Sequence, residues 1–201
     1  MKSNEPPHLE YAKNYWKNFL DKTDTAIDAT LGNGFDALYL AKILIKPTKA
    51  TGKLICFDIQ KKAIESAKLL LRENLKKEHF KNINILQKSH EDLTKFIKEK
   101  VNLIVYNLGY LPKSDKKITT NAETTISSIE SGFKILAKKA AISIISYSGH
   151  FAGEKEEIAL IEYLKKIDRN EYSVLHLRWL NKEKAPTLFW IEKKMAVEKF
   201  I

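Results

Sequence analysis

The chain has 201 residues, enough for one well-buried α/β domain and too few for two of ordinary size. Its single cysteine, Cys56, excludes a disulfide framework and argues against a structural zinc site, and no metal site is predicted. With 44% hydrophobic and 30% charged residues, no run near the roughly 18 apolar residues of a membrane span and no apolar signal-peptide core, the composition predicts a cytoplasmic protein. The formal net charge of +10 favours a polyanionic partner such as nucleic acid, although lysines scattered over solvated helix faces produce the same excess.

The first predicted element is a helix from about His8 to Leu20, directly after Pro6 and Pro7. Its apolar residues recur at helical spacing, at Tyr11, Tyr15, Trp16 and Phe19. We expect this helix to pack on the edge of a sheet or over the mouth of a cofactor site.

A glycine-rich turn follows the first predicted strand, Thr25 to Ala29, and precedes a helix from Phe35 to about Ile45. Gly32, Gly34 and Ala37 match the loose dinucleotide-binding pattern G-x-G-x-x-G/A, which by itself is weak evidence. A strand, a turn that a ligand can approach closely and the N–H groups of a helix N-terminus together form a cradle for a nucleotide cofactor.

The acidic residues around this turn favour one cofactor class. Asp28 and Asp36 would repel the pyrophosphate of a dinucleotide, whereas S-adenosylmethionine (SAM) carries an ammonium and a sulfonium and has no phosphate. Asp58 ends the next predicted strand, which begins at Lys53, and can accept both ribose hydroxyls of either cofactor. The alternative for Asp28 and Asp58 is helix capping or turn chemistry, and a dinucleotide-dependent dehydrogenase is the competing enzyme class.

The middle of the chain continues the alternation of strands and helices. A helix from Lys61 to about Glu78 is followed by a short strand from about Asn84 to Gln87. Ser89, with Asp92 three residues later, predicts a capped helix that runs through Ile97.

The remaining pattern predicts a doubly wound α/β fold. Val101 to Tyr106 is almost continuously apolar, as a central parallel strand should be. The later helices and strands are predicted at about Glu123–Leu136, Ala141–Tyr147, Glu154–Ile167, Tyr172–Leu180 and Thr187–Glu192. The short link between the last two strands predicts a hairpin. We therefore expect one domain over residues 1–201, with a mostly parallel seven-stranded sheet, a C-terminal antiparallel hairpin and helices on both faces, unlike a six-stranded dinucleotide fold.

Five stretches together resemble the class I SAM-dependent methyltransferases of the putative rRNA methylase family, which occurs in bacteria and plastids. They read DATLGNGFDALYLA, FDIQKKAIESAK, KSHEDL, NLGYLPKSDKKITT and YSGHFAGEKEE, and the likeness extends from about His8 to the final strand. The family more often has histidine in place of Phe35 and glycine in place of Ala152. The resemblance implies a Rossmann-like fold and methylation of the aminomethyl group of 5-aminomethyl-2-thiouridine at the tRNA wobble position.

The same resemblance implies a cofactor site in three parts. The methionine end would lie against the glycine-rich turn, at Asp28, Thr30, Gly32, Asn33, Gly34 and Asp36. The ribose would lie against Asp58 and Gln60, and the adenine near Ser89 and His90. Asn107 would stand beside the sulfonium.

The stretch Asn107-Leu108-Gly109-Tyr110 resembles the Asn-Pro-Pro-Tyr loop of amino-methylating enzymes. In that loop the asparagine oxygen and the next backbone carbonyl accept two N–H groups of the nucleophile, and the tyrosine ring, here that of Tyr110, stacks on a base. An alkyl amine, with a pKa of about 10, arrives protonated, so a base must uncover its lone pair. Tyr147 and His150 are candidates and Glu123 is a weaker one; the alternative for His150 is a turn residue bonded to backbone.

Basic residues near the predicted catalytic loop and on the hairpin could hold RNA phosphates. They are Lys113, Lys116, Lys117, Arg178, Lys182 and Lys184. The expected partner is the anticodon region of tRNA, and a homodimer would widen the RNA surface. Two alternatives are a methyltransferase that acts on rRNA or a small-molecule amine, and a non-catalytic module that binds SAM and RNA.

Overall fold

The alternation of apolar strands and amphipathic helices seen in the sequence sets the architecture of the protein. The computed structural model describes residues 6–45, 52–109, 121–149 and 151–194. The α-helices within these ranges are α1 Pro7–Phe19, α2 Phe35–Leu44, α3 Lys61–Asn74, α4 Ala122–Ile135 and α5 Phe151–Leu164. The strands are β1 Thr25–Asp28, β2 Lys53–Asp58, β3 Ile83–Gln87, β4 Val101–Asn107, β5 Leu136–Ser146, β6 Tyr172–Leu177 and β7 Thr187–Lys193. No helix in these ranges is long and apolar enough to span a bilayer.

The seven strands form one sheet in the order β3-β2-β1-β4-β5-β7-β6. The pairs from β3 to β5 are parallel, whereas β7 is antiparallel to both β5 and β6. The predicted fold class, with its C-terminal antiparallel hairpin, is therefore confirmed. Because β1 lies between β2 and β4, the chain order reverses at β1, and a crevice opens at the carboxyl ends of these strands.

Helices cover both faces of the sheet because the central strands bury side chains on both sides. Along β4, alternate residues belong to different clusters: Leu103 and Val105 pack with α1 and α2, whereas Ile104 and Tyr106 pack with α4 and α5. The two hydrophobic cores hold the strand ends in fixed positions. The polar side chains directly after the strands are therefore held in place as well.

The helix predicted after the third strand is wrong. Between β3 and β4 the described residues form only a 3₁₀ turn at Leu93–Lys95. The Asp92 carboxylate accepts from the Thr94 N–H at 3.1 Å, and the Ser89 hydroxyl accepts from the Glu91 N–H at 3.1 Å. Each polar side chain therefore closes its own tight turn, and these local bonds compete with a regular helix.

Several predicted boundaries also shift. The third helix ends at Asn74 rather than Glu78, where the Asn74 side chain donates to the Leu70 carbonyl. β5 begins at Leu136, five residues before the predicted start, because α4 leads directly into it. α5 begins at Phe151 rather than Glu154, and β6 ends at Leu177 rather than Leu180.

Gly34 fixes the turn between β1 and α2, and its replacement by alanine should destabilise the fold. Its φ is +86°, and an added Cβ would lie 2.7 Å from the Ala67 Cβ and 2.9 Å from the Ala67 Cα on α3. The left-handed backbone costs about 1–2 kcal/mol for a side chain, and overpacking adds about 1–3 kcal/mol. We therefore expect Gly34→Ala to lower the free energy of unfolding in urea by about 2–5 kcal/mol.

Gly149→Ala is the matched control for that substitution. The nearest atom that its Cβ would meet is the Lys184 carbonyl oxygen at 3.9 Å, and its φ is not in the left-handed region. It should leave the free energy of unfolding nearly unchanged. Equal stabilities of the two variants would contradict the close contact between the turn and α3.

Candidate active site

A cavity of 1230 Å³ opens at the carboxyl ends of β1, β2 and β4, where the strand order reverses. Most residues that the sequence analysis assigned to the cofactor line it: Thr30, Gly32, Asn33, Gly34, Asp36, Asp58, Gln60, Ser89, His90 and Asn107. Helix α1 contributes Leu9 and Lys13 to the wall, and Pro6, directly before the helix, lines it as well. The helix therefore lies over the cavity mouth, which is one of its two predicted placements.

The glycine-rich turn is held by backbone and carboxylate bonds. The Leu31 N–H donates to the Phe57 carbonyl at 2.9 Å, which ties the turn to β2. The Asp58 carboxylate accepts from the Gly32 N–H at 2.9 Å and from the Gln60 N–H at 2.8 Å. Asp58 therefore performs the turn chemistry that was one alternative for it. Because each carboxylate oxygen has a second lone pair, Asp58 can still accept ribose hydroxyls from the cavity side.

Asp28, which was also assigned to the cofactor, is not among the lining residues: it is buried at the end of β1, next to the lining residues Ala29 and Thr30, with 1% of its surface exposed. Its Oδ1 accepts from the Thr30 N–H at 3.1 Å, whereas its Oδ2 is buried and makes no hydrogen bond with the described residues. Burial raises its pKa well above the usual carboxyl range; the charges of Asp36 and Asp58 raise it further, and the N–H groups of Thr30 and Ala37 partly offset them. Three carboxyl groups are thus gathered at this end of the cavity, which suits a cationic ligand and disfavours a pyrophosphate.

His90 lies at the other end of the cavity, after β3. Burial lowers its pKa to about 4, so the imidazole is neutral at physiological pH, and its buried Nδ1 has no hydrogen-bond partner among the described residues. A neutral ring with an unused polar atom is compatible with an adenine, which offers both donors and acceptors. The anionic and the neutral end together fit SAM. Within the described part of the chain, no cluster of three or more histidine, cysteine, aspartate or glutamate side chains could hold a metal ion.

Comparison with known proteins agrees with this geometry. The family model described as "Putative rRNA methylase" matches residues 54–193, more than half of the chain. The chain belongs to this family. It is 31% identical over 189 residues, 92% of its length and 69% of the relative's, to a protein of Arabidopsis thaliana named tRNA (mnm(5)s(2)U34)-methyltransferase, chloroplastic.

Two solved structures share the fold over nearly the whole chain. A putative rRNA methylase from Clostridium thermocellum has a TM-score of 0.87 at 30% identity, covering 96% of this chain and 100% of that one. A putative methyltransferase from Streptococcus mutans, in complex with SAH, has a TM-score of 0.81 at 28% identity, covering 94% and 99%. This member of the putative rRNA methylase family is therefore a SAM-dependent methyltransferase, which confirms the predicted cofactor and excludes the dehydrogenase alternative.

Asn107 occupies the end of β4 and is held at two points. Its backbone N–H donates to the Thr30 hydroxyl at 2.7 Å, and its Nδ2 donates to the Asp36 carboxylate at 2.9 Å. Because a carboxylate can only accept, the NH₂ group must face Asp36, and Oδ1 must face away from it. Asp36, which we predicted at the methionine end of the cofactor, thus also fixes the orientation of the Asn107 amide.

Next to the cavity the structure also places a residue that was not predicted. His8, on α1, lies beside Tyr147 after β5, with 3.2 Å between His8 Nε2 and the Tyr147 hydroxyl oxygen and 5.5 Å between the ring centroids. Burial raises the pKa of Tyr147 to about 12, and the charge of Asp36 adds to this effect while the Asn107 side chain opposes it. Tyr147 is therefore a neutral phenol at physiological pH, which makes it unsuited to act as a base on its own.

Other predicted residues fall into three groups. Tyr110, Lys113, Lys116, Lys117 and His150 lie outside the described residues. Glu123 is exposed on the first turn of α4 and does not line the cavity, although its neighbours Asn121 and Thr124 do. On the hairpin, Arg178 and Lys182 are exposed outside the cavity, whereas Lys184 lines it. Lys13 and Lys42 line it as well and were not predicted.

Proposed function

We propose that this methyltransferase acts on RNA and that its acceptor is the primary amine of an aminomethyl group on the wobble uridine of tRNA. The name of the Arabidopsis relative supports the position and the nucleoside, and the family description supports RNA in general. The fixed orientation of the Asn107 amide is the observation that supports a nitrogen atom as the acceptor of the methyl group. With Nδ2 bound to Asp36, Oδ1 is the acceptor atom of this cavity-lining side chain that remains for a substrate N–H.

The proposed methyl transfer depends more on aligning the acceptor nitrogen with the methyl group than on activating the methyl group. Bound SAM supplies an electrophilic methyl group on a sulfonium that is already a good leaving group. The protein has to turn the lone pair of the amine toward that methyl group and exclude water. In our proposal Asn107 Oδ1 and the Leu108 carbonyl each accept one N–H of the amine, which leaves the lone pair as the only group free to point at the methyl carbon.

Mass spectrometry of nucleosides tests this proposal. The protein and SAM are incubated with tRNA that carries the aminomethyl group, with rRNA and with a pool of small-molecule amines. We expect the aminomethyluridine nucleoside to gain the mass of one methylene and the other pools to remain unchanged. Methylation of rRNA alone would replace the tRNA proposal with the substrate in the family description, and methylation of metabolites alone would exclude RNA as the acceptor.

The proposed RNA surface lies at the cavity mouth, on the loop between β6 and β7. Lys182 and Lys184 are exposed there, and Lys184 also lines the cavity. We expect Lys182→Gln/Lys184→Gln to weaken binding of an anticodon stem-loop and to reduce the slope of log Kd against log salt by about 1–2, because each lost phosphate contact removes about 0.7–0.9. Fluorescence anisotropy at several salt concentrations measures both quantities.

Lys76→Gln/Lys77→Gln is the matched control for the lysine pair. These lysines are exposed after the end of α3, next to the amino end of β3 and therefore at the opposite edge of the sheet. Both double variants lose the same net charge. If both lower the salt slope equally, binding depends on net charge alone, and the proposed RNA surface is wrong.

A further inference from the structure

The contact between His8 and Tyr147 joins the N-terminal helix to the carboxyl end of β5. The two residues are 139 positions apart in sequence, the rings meet edge to face, and the Tyr147 hydroxyl lies 3.2 Å from His8 Nε2. Tyr147 lines the cavity together with Asn107, and so do Pro6 and Leu9, which lie on either side of His8 along the chain. The pair therefore forms a polar connection between the cavity and the helix that covers it.

Either atom of this connection can donate, and a relay needs the Tyr147 hydroxyl to be the donor. The Asn107 Nδ2 group donates to Asp36, and the Asn107 side chain also lowers the pKa of the Tyr147 phenol. When the Tyr147 hydroxyl donates to His8 Nε2, that nitrogen is the acceptor and His8 carries its own proton on Nδ1.

We propose that Tyr147 and His8 form a proton relay that deprotonates a substrate ammonium, with Tyr147 in contact with the amine and His8 as the final acceptor. The inference rests on the proposed amine substrate. An ammonium N–H proton passes to the Tyr147 oxygen while the Tyr147 hydroxyl proton passes to His8 Nε2. The products of this step are a neutral amine, a neutral tyrosine and an imidazolium, so the charge moves from the substrate to His8 and the proton count balances.

Tyr147 and His8 each perform one part of the proton transfer, because neither residue is suited to perform both parts. Tyr147 touches the cavity but stays protonated near neutral pH, because its pKa is raised to about 12. An imidazole is mostly neutral at pH 7 and can accept a proton, since the ordinary pKa of histidine is about 6.5. The relay leaves the lone pair of the neutral amine facing Tyr147. The amine then turns about its C–N bond, so that its two remaining N–H groups reach Asn107 Oδ1 and the Leu108 carbonyl and its lone pair faces the methyl group.

A competing acceptor lies in the same neighbourhood. The Asp36 carboxylate, on α2, is close enough to Tyr147 to raise its pKa and is bonded to Asn107. The charged groups that face this part of the cavity also include Lys13 on α1 and Lys184 on the β6–β7 loop. The experiment must therefore show whether His8 or Asp36 accepts the substrate proton. Loss of the true acceptor should leave only those amines reactive that have already lost their proton to water.

The pH dependence of single-turnover methylation of the aminomethyl tRNA tests the relay. For His8→Gln we expect a rate about 100-fold below wild type at pH 7, a typical contribution of acid–base catalysis. The defect should shrink to about threefold near pH 9.5, because an alkyl amine with a pKa of about 10 then loses its proton to water. Glutamine keeps an acceptor for the Tyr147 hydroxyl but cannot take up its proton, so a merely structural contact would be rescued by it.

Two further variants complete the set. Tyr147→Phe should show the same defect as His8→Gln, and the double variant should be no slower than either, because both interrupt one relay. Lys17→Gln, exposed on the same helix, is the control and should match wild type. Additive defects, a defect of His8→Gln that does not change with pH, or a pH-dependent defect confined to Asp36→Asn would each overturn the relay.

A measurement without turnover keeps the relay and the proposed function distinguishable. In ¹⁵N-histidine NMR spectra of the wild-type protein, His8 should be the Nδ1–H tautomer, and Tyr147→Phe should shift the Nε2 signal. SAM affinity of His8→Gln by calorimetry should stay within about threefold of wild type, because His8 acts through Tyr147. An Nε2–H tautomer would overturn the relay even if the tRNA is methylated, whereas an inactive wild-type protein with the expected tautomer would overturn the amine substrate instead.

Discussion

Replacing Asp28 with asparagine should weaken SAM binding by about 10- to 100-fold and at the same time leave the cofactor-free protein as stable or more stable. The first effect follows because an interaction between a buried carboxylate and a cationic ligand is worth about 1.5–3 kcal/mol. Asp28 Oδ2 accepts no hydrogen bond of normal geometry from the described residues, although the Ala37 N–H is near enough to lower the pKa of the carboxyl group, and Asp36 and Asp58 are near enough to raise it.

The second effect follows from the direction of the pKa shift. Burial raises the pKa of Asp28, so between the unfolded and the folded pKa the folded protein binds more protons, and stability falls as the pH rises. At pH values above the unfolded pKa the buried carboxyl group is thus a cost in the cofactor-free protein, which asparagine removes. As the pH is lowered from neutrality, the wild-type protein should gain stability relative to Asp28→Asn.

Calorimetry with SAM and thermal unfolding with and without SAM measure the two effects of Asp28→Asn. The control is Glu65→Gln, which removes one exposed negative charge on α3, far less buried than Asp28. It should change neither quantity. If Asp28→Asn destabilised the cofactor-free protein strongly and left SAM affinity intact, the carboxylate would serve the turn alone, which was the alternative interpretation from the sequence.

The parts of this site that the sequence revealed are those encoded by local patterns. Gly32 and Gly34 have φ of +50° and +86°, a conformation that glycine adopts at no steric cost, so the turn is readable from residue types alone. Asp28 and Asp58 follow apolar runs, and parallel strands bring their carboxyl ends to one edge. The parallel direction of the central strands follows from the same alternation, because a crossover helix between two strands lets them run in the same direction.

The parts that the sequence did not reveal depend on contacts between distant segments. His8 meets Tyr147 only because α1 packs on the face of β5 and β7, and no spacing within either segment signals that contact. The helix wrongly predicted after β3 fails for a related reason: the Leu93 N–H donates to the Ser131 hydroxyl of α4 at 3.0 Å, so tertiary structure satisfies a group that a helix would have used differently. The early start of β5 is likewise supported from outside, by Asn102 Nδ2, which donates to the Lys139 carbonyl at 3.1 Å.

Asn107→Ala should have the largest effect on catalysis. We expect kcat for methyl transfer to fall by about 100- to 1000-fold, the usual cost of losing one preorganised polar group at the reacting centre. SAM affinity should change by less than about fivefold, because the backbone N–H of Asn107 can still donate to the Thr30 hydroxyl after the side chain is truncated. Single-turnover kinetics together with calorimetry separate the two quantities.

Asn102→Ala on the same strand is the matched control. Its side chain accepts from the Thr25 N–H at 3.1 Å and donates to the Lys139 carbonyl at 3.1 Å, at the amino end of β4, away from the cavity. Asn102→Ala should lower stability and leave the kcat of the folded protein unchanged. If only Asn107→Ala loses kcat, the loss is specific to Asn107 and is not the result of truncating any asparagine on β4.

Asp36→Asn extends the same test to the orientation of the amide. Two amides facing each other can pair in either orientation, so Asn107 Oδ1 would no longer be directed to the cavity side by a group that can only accept. We expect kcat to fall by about tenfold, less than for Asn107→Ala, because a fraction of molecules keeps the productive orientation. If Asn107→Ala instead weakened SAM binding and left kcat intact, the amide would contact the cofactor rather than the nucleophile, and the proposed alignment of the amine would be wrong.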